Sequence, residues 1–340
     1  VENYGETARM RSGGNDTSST VSDMDVAVLV LDGVFDSGLA AVLDVVHTAN
    51  ELRGQLADPP PPWRVRITGL RRRVRTGAGH LVTTEPVTHD PELLVVPGVA
   101  EKRPDQLIEF ASGRAQAPAR LLVAETRSRR TPIAAACTAT FLLAEAGILD
   151  DRRATTSWWL APVFRARYPA VALDDNHMLV RDDGITTAGA AFAHVDLALS
   201  LVAERSPTLA DLVARYLVVD HRPSQGTFAI PSLLAQTDPV VSAFERWVRE
   251  NLAEPLRLPA AARALGTSER TLQRAVQRVL GKSPVEFVQD VRLEQAAHLL
   301  RTTDMSAQAV SRQVGYENAG TLRTLLRRRR GTTVAQLRGR

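Results

Sequence analysis

Cysteine is almost missing from this 340-residue chain: Cys137 is the only one. A single thiol excludes an intramolecular disulfide framework and fits a reducing interior. Lysine is scarce as well. Lys102 and Lys282 are the only two, so positive charge rests on arginine. No run reaches the roughly 18 apolar residues of a membrane span. The first 24 residues, VENYGETARMRSGGNDTSSTVSDM, lack the apolar region of a signal peptide and read as a disordered tail. A cytoplasmic protein without membrane contact is therefore expected.

What is present is enough apolar material, 44 % of the residues, to bury a core, and a length that suits two domains. Charge divides the chain in the same way. Residues 240–340 hold 18 Arg/Lys against 9 Asp/Glu, whereas residues 1–239 hold 24 against 29. A basic C-terminal third on an acidic body points to a polyanionic partner for that third.

Short apolar runs alternate with helical patterns over the first two hundred residues. DVAVLVL (25–31), WRVRITGL (63–70), ELLVVPG (92–98) and TPIAAAC (131–137) read as strands. Helices are expected over 39–52, 104–116, 138–149 and 190–205, with a further strand-then-helix at 154–169. Hairpins are expected around Gly77 and Gly79 and around Asp182-Asp183-Gly184. This is the pattern of an α/β fold with an open, mostly parallel sheet flanked by helices (flavodoxin-like). Such sheets bind ligands beyond the carboxyl ends of their strands. Those ends carry Asp32–Ser37, Pro97–Val99 and Cys137–Thr138, three loops that can converge on one crevice.

The segment PIAAACTATFLLAEAGIL (132–149) places Cys137 between a strand and a helix, the sequence form of a nucleophile elbow. A catalytic thiol needs a base or a helix N-terminus to raise its thiolate fraction. His194, in an apolar helix, and His177, in a hairpin, are the histidine candidates, each more readily structural; His47 on the first helix is read as structural. The candidate ligand pocket comprises Asp36, Gly98, Val99, Cys137, Thr138, Ser157 and Trp158. No metal site and no cofactor are expected.

Residues 25–220 form the first domain in this reading. HRPSQGTFAIPSLLAQTDP (221–239) is a linker or an arm over that domain. From 240 onward the pattern is all-helical. An amphipathic helix (240–253) precedes a short helix (259–265), Gly266, and a helix capped by Ser268. Helix, tight turn, helix is the geometry that seats the second helix in the DNA major groove. Leu272, Val276 and Val279 face the core, leaving Arg270, Gln273 and Arg274 on other faces. A long linking helix (285–303) follows. The unit then recurs, with Ser306–Val314, Gly315 and Asn318–Arg330 as its parts. Arginine can fork to guanine and glutamine can read adenine, while Arg327–Arg330 suit phosphate. Double-stranded DNA is the expected partner.

Two resemblances carry further expectations. LPAAARALGTSERTLQRAVQRVLGKSPVEFVQDVRLEQAAHLL, the later DMSAQAVSRQVGY and the R-R-x-x-G end resemble the AraC/XylS DNA-binding domain. The resemblance implies base-reading positions at Arg270, Gln273 and Arg274 and, in the second unit, near Gly320, Thr321 and Thr324. Leu326 and the ending Val-Ala-Gln-Leu-Arg (334–338) depart from the family pattern. Short side chains in the second unit imply phosphate contacts, from Arg323, Arg327 and Arg328, and weak base readout. AVLVLDGVFDSG, LLVVPG, PIAAACTATFLLAEAGILDDRRATTSWW and ITTAGAAFAHVDLALSLV resemble the PfpI-type branch of the class I glutamine-amidotransferase-like superfamily. Together the two resemble the GlxA-like transcriptional regulators. That resemblance implies a homodimer through the first domain and makes the pocket a candidate small-molecule effector site.

The enzymatic members imply a cysteine, a histidine and an acid from the first loop. Ser157 in Ala-Thr-Thr-Ser-Trp stands where the histidine would be, and the acid would fall near Ser37 or Gly38. The expectation is thus a transcription regulator with a catalytically degenerate domain. The alternatives are a cysteine-dependent amidase or hydratase fused to a DNA-binding domain, and a regulator whose first domain only dimerises.

Overall fold

The computed structural model describes residues 23–86, 91–220, 222, 224–226 and 228–339; the tail expected over the first 24 residues lies almost wholly outside the described residues. The first domain runs β1 (Met24–Leu29), α1 (Asp36–Leu52), β2 (Trp63–Thr68), β3 (Arg73–Arg75), β4 (Leu81–Thr83), β5 (Leu93–Val96), α2 (Pro104–Ser112), α3 (Ala117–Ser128), β6 (Ile133–Ala136) and α4 (Ala139–Glu145). It continues through β7 (Arg153–Ala154), α5 (Ala161–Arg167), β8 (Ala172–Leu173), β9 (Leu179–Asp182), β10 (Ile185–Ala188), α6 (Ala193–Arg205) and α7 (Pro207–Tyr216).

Among the described residues the main sheet has the order β2-β1-β5-β6-β10-β9. All neighbours are parallel except β10 and β9, which form a hairpin closed by Asp183 and Gly184. The parallel strands follow a doubly wound, flavodoxin-like order, whose switch point lies between β1 and β5. Strand periodicity sends alternate residues to opposite faces. Val26, Val28, Val95 and Ala134 pack with α1, α6 and α7, whereas Ala27, Leu29, Leu94 and Ile133 pack with the α2–α5 side. Both faces are covered, so the strands are apolar throughout.

Two helices of the first domain lie outside the elements expected from sequence. α3 buries only Ala119, Val123 and Thr126, too sparse a stripe to read as a core-facing helix. α7 follows α6 after one residue; Ser206 caps it and Pro207 occupies its first turn, a start signal that marks it. The expected helix 104–116 stops at Ser112, before Gly113.

The C-terminal part contains α8 (Pro231–Ala235), α9 (Pro239–Glu250), α10 (Leu258–Ala264), α11 (Glu269–Leu280), α12 (Pro284–Thr302), α13 (Ala307–Gln313), α14 (Ala319–Arg330) and α15 (Val334–Leu337). α8 falls inside the segment read as a linker, yet Leu234 and Ala235 are buried in the C-terminal core. That core has two halves. Phe244, Val276 and Phe287 belong to one, and Leu300, Val310 and Leu322 to the other, with α12 running through both.

Candidate nucleic-acid interface and cysteine elbow

Cys137 follows β6 with φ of +58°, a left-handed conformation uncommon outside glycine. The strained elbow expected from the sequence is present, and its backbone N–H donates to Ala188 O at 2.8 Å. Its chemistry is another matter. The thiol is buried and its Sγ lies 2.9 Å from Ser157 Oγ. Burial pushes the Cys137 thiol up from its ordinary value, outweighing the hydrogen bonds from Ser157 and Thr138 that act the other way. A buried, protonated thiol beside a hydroxyl is a weak nucleophile.

His194 is the nearest thing to a base, and both its nitrogens are engaged. Nδ1 lies 2.6 Å from Ala191 O, which can only accept, so Nδ1 carries the proton. Nε2 then accepts from Gly98 N–H at 3.0 Å. Burial pulls the His194 pKa down to about 4, so the ring is neutral near pH 7. It lies directly over α1: a Cβ on Gly38 would meet His194 Cε1 at 2.7 Å. Gly38, one of the two positions near which the resemblance placed the acid, therefore makes room for the imidazole. Phe35 flanks the ring at a centroid distance of 6.3 Å.

The three loops do converge. A Cβ on Gly98 would lie 2.9 Å from Thr138 Oγ1 and 3.2 Å from Cys137 Cβ. Thr138 Oγ1 accepts from Val99 N–H at 2.7 Å and donates to Val99 O at 2.9 Å. Gly98, Val99, Cys137, Thr138 and Ser157 thus form one buried cluster, packed with their own groups and His194. Two members of the expected pocket do not join it. Asp36, the first residue of α1, turns instead to the loop after β3, accepting from Ala78 N–H and bonded to His80 Nδ1 at 2.8 Å; His80 holds its pKa down to about 2. Trp158 turns away, stacks edge-on against Trp159 and packs into the C-terminal core. His177 is exposed and bonded to Asp174 at 2.7 Å. His47 pairs with Glu51 on the exposed side of α1.

Behind the elbow lies a residue that sequence reasoning did not single out. Gln225, from the segment read as an arm, is fully buried. Its Oε1 accepts from the N–H groups of Trp158 at 3.0 Å and Ala190 at 3.3 Å. Its Nε2 donates to Thr156 O at 2.8 Å and Thr155 Oγ1 at 3.0 Å. The same strand of chain ties to the elbow, since Thr156 Oγ1 donates to Cys137 O at 2.9 Å. A glutamine in a segment without clear period gives no signal of its own, so only the fold exposes this contact.

The C-terminal units each present one capped helix, α11 and α14. Ser268 Oγ caps α11 by accepting from Thr271 N–H at 3.1 Å, and Asn318 Oδ1 caps α14 by accepting from Thr321 N–H at 2.9 Å. Gly266 and Gly315 adopt positive φ at the two turns. On α11, Leu272, Val276 and Val279 are buried while Arg270, Gln273 and Arg274 are exposed. On α14, Leu322 and Leu326 are buried while Thr321, Arg323, Arg327 and Arg328 are exposed. Arg292 of α12 braces the units, donating to Leu252 O, Glu254 O and Gly315 O.

The run Arg327–Arg330 does not act as one phosphate clamp. Arg329 pairs with Asp290 at 2.9 Å and reaches Gln289. Arg330 points inward to the carbonyls of Gly226, Ala229 and Asp290. Helical periodicity explains the split, because four consecutive residues cover the whole circumference of α14. All four arginines border one cleft of about 740 Å³ together with Arg222 and Lys282, but of the four only Arg327 and Arg328 are exposed.

The two parts touch through the far end of α11. Arg165 of α5 donates to Val279 O at 3.2 Å and pairs with Asp175 at 3.3 Å. A Cβ on Gly281 would lie 2.6 Å from its Nη2. The N-terminal half of α11, with Arg270 and Arg274, stays clear of this contact.

Comparison with known proteins adds to this geometry. The DJ-1/PfpI family model matches residues 24–204, and a helix-turn-helix domain model matches residues 261–340. The chain is 31 % identical over 189 residues to the HTH-type transcriptional regulator CdhR of Pseudomonas aeruginosa, covering 53 % of this chain and 55 % of that protein. It is 29 % identical over 213 residues to the HTH-type transcriptional regulator GlxA of Rhizobium meliloti, covering 59 % and 63 %. It is 25 % identical over 300 residues to the HTH-type transcriptional regulator GbdR of Pseudomonas aeruginosa, covering 86 % and 77 %. The match thus spans less than two thirds of the first two relatives. A THiJ/PfpI family protein from Pseudomonas syringae shares the fold, with a TM-score of 0.50 at 20 % identity over 71 % of this chain and 93 % of that one.

Proposed function

The chain belongs to the DJ-1/PfpI family through residues 24–204, and from that membership, with a helix-turn-helix domain matched over 261–340, we propose that it is a sequence-specific DNA-binding transcription regulator. The observation that carries this reading is the pair of capped helices, α11 and α14, set on one linking helix with Arg270, Arg274, Arg323, Arg327 and Arg328 exposed. Arg270, Gln273 and Arg274 read bases in one major groove. Thr321 and Arg323 approach the next groove, and Arg327 and Arg328 add phosphate contacts. The first domain dimerises, which places two such readers on one operator and multiplies their local concentration. No helix among the described residues is long and apolar enough to cross a membrane; we place the protein in the cytoplasm with the nucleoid.

The elbow is read as non-catalytic, because Cys137 has a hydroxyl where a base is needed and His194 has no free nitrogen. The three curated relatives named above are all transcriptional regulators by name, which supports the same reading. The direct test is an electrophoretic shift of DNA carrying the protein's own promoter, over a range of salt. Tight binding that weakens with salt and survives excess unrelated DNA is expected. Failure to distinguish the promoter from unrelated DNA would sink the reading.

A further inference from the structure

The amide of Gln225 sits in its site as a ligand would. It comes from a separate segment and is fully buried. A Cβ on Gly189 would overlap it, so the site is shaped around a planar group lying on bare backbone. The partners settle the orientation. Two backbone N–H groups, from Trp158 and Ala190, converge on its oxygen. A carbonyl, that of Thr156, and the hydroxyl of Thr155 face its nitrogen. A backbone N–H only donates and a carbonyl only accepts. The site therefore selects one acceptor atom beside one NH₂ group. A carboxylate would set an anionic oxygen against the Thr156 carbonyl, and an ester would leave that carbonyl without a donor.

The arm that carries Gln225 is also tied to the first domain by its neighbours: Arg222 donates to Phe192 O at 2.9 Å and pairs with Asp196. Gln225 N–H and Gly226 N–H donate to Asn176 O, and Ser224 Oγ donates to the same carbonyl. The next carbonyls along, those of Gly226 and Ala229, receive Arg330 of α14. The residue that fills the site is thus joined within one residue to a contact with the second recognition helix.

We infer that the Gln225 pocket, formed by Thr155, Thr156, Trp158, Gly189 and Ala190, is a binding site for a primary carboxamide, with Gln225 as its built-in occupant. A free ligand bearing that group competes with Gln225, lifts the arm from the first domain and loosens the seat of Arg330. Its effect on DNA rests on the regulator reading above; the site itself does not.

The test uses the full chain as wild type, Gln225→Ala and Gly189→Ala, with propionamide as probe and propionate as its anionic isostere. Amide hydrogen exchange is followed at Trp158 and Ala190. In Gln225→Ala both amides are expected to exchange about tenfold faster or more, as their acceptor is gone. Excess propionamide restores protection and propionate does not. In Gly189→Ala the added Cβ evicts Gln225, so exchange is fast and propionamide does not rescue it. In the wild type, which needs no variant to fold, propionamide speeds chymotryptic cleavage after Phe228. Unchanged exchange in Gln225→Ala, equal rescue by propionate, or no effect of propionamide on wild-type cleavage overturns the proposal. The expected exchange pattern in a protein that shifts no DNA would retain the site and remove the regulator reading instead.

Discussion

The Nε2 of His194 lies 3.0 Å from the amide nitrogen of Gly98 and accepts its proton, while Nδ1 donates to Ala191 O. One imidazole thus occupies the N–H that faces the elbow and has no lone pair left for the Cys137 thiol. With Ser157 at 2.9 Å from Sγ, the elbow keeps its backbone shape without its reactivity.

Cys137 is therefore expected to alkylate at least about a hundredfold more slowly with iodoacetamide near neutral pH than the same thiol in urea-unfolded chain. A native rate equal to or above the unfolded one would restore the cysteine-dependent enzyme as the better reading. Cys137→Ala should leave promoter affinity unchanged.

His194 should make stability depend on pH. Its folded pKa of about 4 lies below its ordinary 6.5. Below 6.5 the unfolded chain takes up a proton that the folded chain refuses. Stability from this group is thus complete above pH 6.5 and falls as the pH drops towards 4, by about 3 kcal/mol in all. Urea unfolding at pH 7.5, 6 and 5 measures it. His194→Gln, which cannot titrate, should flatten that slope whatever its own stability.

On DNA, Arg270→Ala or Arg274→Ala should cost about 1–3 kcal/mol in promoter binding and relax base preference at one position. Arg328→Ala should weaken all sequences alike and lower the salt slope by about one unit. Arg329→Ala should act instead on folding stability, because Arg329 is tied to Asp290. Fluorescence anisotropy across a salt series separates the three. Identical behaviour of Arg328→Ala and Arg329→Ala would contradict the split of the arginine run.

The contact between α5 and α11 is open to a double-mutant cycle. Gly281→Ala meets two penalties, a positive φ of +64° and the Arg165 guanidinium. In an Arg165→Ala background only the backbone penalty, about 1 kcal/mol, should remain. Equal costs in both backgrounds, measured by thermal unfolding, would show that Arg165 does not press on Gly281.

Caps offer a simpler check. Ser268→Ala removes the acceptor for Thr271 N–H and should lower stability by about 1 kcal/mol. Unchanged stability would mean that α11 is held by its packing alone.

Much of this was legible beforehand because it rests on local periodicity. Apolar strands such as 25–31 and 131–137, the spacing of Leu272, Val276 and Val279, and the cap Ser268 announce their elements within a few residues. Charge segregation announced the basic third. The elbow was legible too, and Ser157 in place of a histidine already told against a base.

What the sequence determined by itself was the order of the main strands and most helices, the doubly wound class of the first domain and the paired helix-turn-helix of the second, since each follows from short-range pattern. Only the tertiary structure decided which groups meet. It filled the expected crevice with His194, sent Asp36 to His80 and Trp158 to the C-terminal core, turned Arg329 and Arg330 inward, and buried Gln225 behind Cys137. Those contacts join residues tens of positions apart, as Gln225 joins Thr156 and His194 joins Gly98. No periodic signal links such pairs, because the hydrogen bond that satisfies a buried polar group is available only once the fold has removed water from it.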